Sequence, residues 1–220
     1  MTTARELRLD YFRIYDIANV AAEAVVQTKG QFDRIASKGQ LQALDLFGVC
    51  TMKNKEPLFD PGAHLTWYRL FQKTIETTRS VKIRNQFGDA TLAIGKVEAL
   101  LCPAQKLEHG SEPPRNLDHF KVYRVVEYGK VPEEKVALKD QFFSQNTVVL
   151  VPDFFAVPVV KTVGRKQFPI ANPRSHLAIY RTPFKAFKTE TKARDQFGTW
   201  PVQLLRAVAL AVPTLKLSWK

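Results

Sequence analysis

Val81-Lys82-Ile83-Arg84-Asn85-Gln86-Phe87 is the stretch on which the fold turns, because the chain writes it four times. Its counterparts occupy residues 26–32, 136–142 and 191–197, so the pairs beginning at Gln31, Gln86, Gln141 and Gln196 stand 55 residues apart. Within each copy one side is apolar or small at every second residue. Val26, Val81, Val136 and Thr191 come first, then Thr28, Ile83, Leu138 and Ala193, then Phe32, Phe87, Phe142 and Phe197. Lys82, Arg84, Lys139, Lys192 and Arg194 fall between them. A period of two with cations on one side and apolar groups on the other is a half-buried β-strand. The residue before each glutamine is Asn85, Asp140 or Asp195, and Gly30 in the first copy.

Two further markers flank this strand. Upstream lies an aromatic-rich strand ending on Tyr15, Tyr68, Tyr123 or Tyr180, which begins in three copies on His64, His119 or His176 and in the first on Tyr11. Downstream an apolar stretch closes on Lys53, Lys106, Lys161 or Lys216, and prolines such as Pro57, Pro113 and Pro169 punctuate the passage to the next copy. Three markers in one order, four times over, make a single repeat domain over 1–220 with repeats 1–56, 57–112, 113–169 and 170–220. The first copy is the most divergent, and its alanine-rich segment 17–26 leaves room for a helical turn in place of a strand.

A unit with three or four strands is too small to bury its own apolar face, so neighbours must cover it. The expected fold is all-β, a pseudo-four-fold closed ring in the form of a four-bladed β-propeller. Paired β-barrels or sandwiches are the alternative, and an open array a third arrangement.

The order His-x-x-x-Tyr, Asp-Gln-Phe, Pro-x-x-Lys resembles an uncharacterised repeat family of bacterial proteins, often secreted. The resemblance covers essentially the whole chain and is clearest at residues 64–106, 119–161 and 176–216. Such proteins often carry one cysteine before the tyrosine and another before the closing proline. Here Trp67, Val122 and Ile179 take the first position, and only Cys102 keeps the second, with Val157 and Val212 in the later copies. The resemblance implies no catalytic residue, because the family has no established activity.

The net charge of +12 is unevenly placed. From Lys161 onward twelve cations stand against Glu190 and Asp195, which accounts for +10 of it. A field of that sign recruits anions, or simply keeps a surface solvated. Two cysteines, Cys50 and Cys102, do not make a disulfide framework. The polar opening Thr2-Thr3-Ala4-Arg5 shows no signal peptide and no stretch reads as a membrane span, so the expected location is cytoplasmic.

His64, His119, His176 and Tyr11 hold one place in the repeat, and near the axis of a ring they would be weak candidates for metal binding or acid–base catalysis. None has a second ligand at zinc-motif spacing, so no metal site is assigned and no cofactor is named. A residue present in every copy serves the fold first; residues that break the repeat are the better functional candidates. Phe184, Lys185, Phe187 and Lys188, continuing to Lys192 and Arg194, interleave aromatics with cations, as does the loop carrying Arg165 and Lys166. Phosphate-loop, dinucleotide, nucleophile-elbow and metalloprotease motifs are absent. The sequence therefore points to a non-enzymatic binding or scaffold protein with an acidic or anionic partner: an acidic protein, a polyanion or an anionic small molecule, with nucleic acid admitted but not favoured. The alternative is an enzyme with a small-molecule pocket at the ring centre or between repeats, using histidine and tyrosine.

Overall fold

Alternation fixes which side of each strand meets the core, and a computed structural model describing residues 4–73, 77–107, 112–131 and 133–220 shows how the units share that core. Met1 to Thr3, the start of the polar opening, lie outside the described residues. A single helical turn, α1 (Ala4–Leu7), precedes the strands. The first unit is β1 (Tyr11–Gly30) and β2 (Ser37–Lys53); the second is β3 (His64–Phe71), β4 (Arg79–Asn85) and β5 (Gly88–Lys106). The third holds β6 (His119–Tyr128), β7 (Glu134–Lys139), β8 (Ser144–Val149) and β9 (Pro152–Val163), with the short β10 (Lys166–Phe168) after it. The fourth is β11 (His176–Asp195) and β12 (Gly198–Trp219).

Each unit is one long bent hairpin. The tyrosine marker opens the outgoing strand, Gln-Phe sits at the tip, and the return strand ends on the closing lysine. Segment 17–26 forms no helical turn: it continues β1, with Val20 to Thr28 laddered against Leu44 to Ser37 of β2. Its alanines fit a strand here because an antiparallel partner takes up their backbone groups.

The base of every hairpin joins a ring. Antiparallel pairings run β1–β12–β11–β9–β6–β5–β3–β2 and return from β2 to β1. A propeller has one separate sheet per blade, so the four-bladed arrangement expected from the repeat is not what these pairings describe. Nor do the units segregate into two barrels or sandwiches, since neighbouring units hydrogen-bond edge to edge all the way round. The ring is also uneven, because the outgoing strands of the second and third units break between β3 and β4 and between β6 and β7, and the return strand of the third breaks between β8 and β9.

One apolar cluster draws on all four units and on none of the hairpin tips, which identifies it as the inside of the ring. Phe12, Leu65, Phe120 and Leu177 form one tier and Ile14, Trp67, Val122 and Ile179 the next, all buried. Leu7 and Leu9 pack into the same cluster, together with Leu58 and Leu117 from the connections. The other face of the ring is covered by the distal halves of the hairpins. Tyr15 lies under the tip of the third arm and Tyr68 under that of the fourth, in one cluster with Val26, Leu41, Ala193 and Val202. Tyr123 lies under the tip of the first arm and Tyr180 under that of the second, in another cluster with Val81, Ile83, Val136 and Leu138. Buried side chains of this size are each worth roughly 1.5–3 kcal/mol relative to exposure.

The arms do not rest on their own units. The tip of β1, Gln27 to Gly30, pairs with Thr162 to Val159 of β9. Likewise β4 pairs with the end of β12, β7 with the end of β2, and β11 with the end of β5. In every case the arm reaches the unit two places along.

Candidate functional site

The histidine position lies on the outer side of the ring, because His64 alternates with Leu65 and His176 with Leu177, which point inward. The four residues therefore do not gather at the axis. Instead each meets the glutamine of the following unit. Gln86 Oε1 lies 2.7 Å from the Tyr11 hydroxyl, Gln141 lies 3.2 Å from His64, and Gln196 lies 3.1 Å from His119. Gln31 meets His176 and so returns from the last unit to the first.

His64 Nδ1–H donates to the Gly62 carbonyl at 2.9 Å, and His176 Nδ1–H to that of Arg174 at 3.0 Å. A carbonyl only accepts, so the proton is on Nδ1, and Nε2 accepts from the glutamine amide. Burial pushes His64 and His176 down to about 4 and His119 down to about 3, which keeps the rings neutral. Among the described residues no three His, Cys, Asp or Glu side chains are grouped to hold a metal.

The Asx position works across the ring. One oxygen of Asp140 closes the turn at the arm's tip by accepting from Phe142 N–H at 2.8 Å, and the other accepts from the Tyr15 hydroxyl at 2.7 Å. Asp195 divides its oxygens in the same way between Phe197 N–H and Tyr68, whereas Asn85 accepts from Phe87 N–H through Oδ1 and donates from Nδ2 to the Tyr180 hydroxyl. Gly30 cannot do this. Asp33 replaces it, accepting from Gly30 N–H at 2.7 Å and pairing with the fully buried Lys121 at 2.8 Å. Arg13, equally buried, adds an ion pair to Asp140 at 2.9 Å.

The closing lysines Lys53 and Lys161 find different surroundings. Lys53 pairs with Glu56, and Lys161 is buried between the rings of Phe168 and Phe197, 4.4 and 4.8 Å from their centroids. Burial pushes the Lys161 ammonium down to about 8.

At three of the four seams an arginine follows the tyrosine and grips a carboxylate on the preceding unit: Arg69 with Asp45, Arg124 with Glu98, and Arg181 with Asp153, at 2.7 to 3.0 Å. At the closing seam the polarity is reversed. Asp16 stands after the tyrosine, and its partner is Arg206 at 2.8 Å.

The residues singled out for breaking the repeat divide into two groups. Phe187 turns inward and packs on Tyr15, Phe142 and Phe143. Phe184 stays exposed with the Arg206 guanidinium 4.8 Å from its ring centre. Lys185, Lys188, Lys192 and Arg194 are all exposed on the outer side of the fourth arm. Arg165 and Lys166 are exposed at the turn into β10, and the Phe168–Lys161–Phe197 sandwich ties that turn to the tip of the fourth arm. The two basic segments thus belong to one end of the molecule.

Sequence reasoning missed a groove of about 1160 Å³ on another side, lined by Phe32, Arg34, Ile35, Lys38, Arg79 and Trp219 among others. A signal for it was present. Four residues, 33–36, separate Phe32 from the return strand in the first unit, where the second and fourth turn directly on Gly88 and Gly198.

Ring, crossing arms and glutamine circuit define an all-β repeat protein whose units are joined to one another all the way round. The chain belongs to the family described as a repeat of unknown function, DUF7450, whose pattern matches residues 64–213. No curated protein and no solved structure matches it.

Proposed function

We propose that the chain is a non-enzymatic binding or scaffold protein, and that the basic end formed by the fourth arm and the β10 turn receives an acidic partner. The observation that carries this reading is the state of the cations. Lys185, Lys188 and Lys192 are exposed, and among the described residues none of them, nor Arg194, makes an ion pair. By contrast, Arg69, Arg124, Arg181 and Arg206 along the seams are matched to carboxylates. Glu190 is the exposed acid among these cations, and a surface left with such an excess of positive charge holds a field that an anion can neutralise.

The histidines support the same reading by their engagement. Each sits under an arm with a ring nitrogen committed to glutamine, which is a poor position for exchanging protons with a substrate. The test is binding of poly-glutamate and of heparin at low and high salt, with Lys188→Glu/Lys192→Glu beside the wild type. Retention should fall steeply with salt and be lost in the variant. Binding that ignores both salt and variant would overturn the proposal.

A further inference from the structure

The large groove between the first arm and the end of β12 collects three features that the repeat does not demand. They are the four-residue turn of the first unit, Trp219 at the end of β12, and the end of β3 at Phe71 with Lys73 beyond it. Among the described residues, four of the ten exposed large apolar side chains, Val25, Ile35, Phe71 and Trp219, line this one groove, and Ile35 is 79% exposed. Apolar exposure concentrated in this way marks an interaction surface, whereas scattered single residues do not.

Its charge is one-sided. Among the described residues Arg34, Lys38, Lys73 and Arg79 line it against one carboxylate, Asp33, which already serves Lys121 and the Gly30 N–H. We infer that this groove docks an acidic protein segment, one that carries carboxylates beside an aliphatic or aromatic anchor. Phe32 offers no free face to a base. Phe32 is flanked by Arg79 at 5.8 Å, by Lys216 at 5.2 Å and by the edge of Trp219 at 5.1 Å, so its faces are taken by the protein's own groups. Val25 and Ile35 offer aliphatic contact, which suits a side-chain anchor and not a stacked base. The surface is separate from the basic end of the fourth arm, and either reading can fail alone.

The experiment is selection of a displayed library of random short peptides on the full chain, followed by titration of the synthetic consensus peptide. Enriched sequences should place Asp or Glu beside Leu, Ile or Phe. Ile35→Asp and Lys38→Glu, both at exposed positions, should each weaken the peptide by about tenfold or more while leaving the unfolding midpoint unchanged. Lys188→Glu on the fourth arm should leave peptide affinity as it is. The inference is overturned if nothing is enriched, if enriched peptides lack acids, or if the groove variants bind like wild type. It is also overturned if oligothymidylate or phosphatidylserine vesicles bind with the same dependence on Ile35 and Lys38.

Discussion

Asp140 joins three parts of the fold in one side chain. It closes its own turn, accepts from Tyr15 and neutralises Arg13, whose exposure is 2%. Replacing it by Ala leaves a guanidinium buried without its counter-charge, and the expected loss is about 3–5 kcal/mol in urea unfolding. Adding Arg13→Met should recover much of that loss, because the stranded charge goes with it. The histidines make a second prediction at this scale. Their rings are held neutral at pH values where an unfolded histidine, with its usual value of 6.5, takes up a proton. The native state therefore binds fewer protons, and stability is lost as pH falls from about 6.5 toward 4, by several kcal/mol in total. His176→Gln should flatten that slope in midpoints measured across the window. The positions of these residues were legible from the 55-residue spacing. Their partners were not, since Gln141 and Asp140 are neighbours in sequence yet serve different units, His64 in the second and Tyr15 in the first.

At the scale of the strands, the reversed ion pair of the closing seam says which edges belong together. An exposed pair of this kind is worth only about 0–1 kcal/mol in place, but its sign discriminates between neighbours. Asp16→Arg would set two arginines face to face across β1 and β12, so it should cost more than Asp16→Asn, and Arg206→Asp added to it should restore stability. A double-mutant cycle by chemical denaturation measures the coupling. Strand existence was readable from alternation, and the Gln-Phe strands face as expected, with Lys82, Arg84, Lys192 and Arg194 outward. Alternation says which side of a strand is buried but not which strand lies beside it. That is why a ring joined edge to edge could not be told from a propeller, and why the alanines of β1 left a helical turn open.

For the molecule as a whole, the family pattern covers the second to fourth units, whereas the first unit supplies both strands that complete the ring. A fragment spanning residues 57–220 would expose the free edges of β3 and β12 and leave Lys121 and His176 without Asp33 and Gln31. It should melt without a cooperative transition, and residues 1–56 added in trans should restore one, as read by circular dichroism. The crossing of the arms also has a bearing on copy number. Because each arm lands two units along, the first and third units serve each other, as do the second and fourth. A chain of only two such units would find none of those partners within itself. Two half-length chains placed head to tail would find all of them, each arm resting on its own twin, so this way of closing suits an obligate pair of short chains as well as one long one.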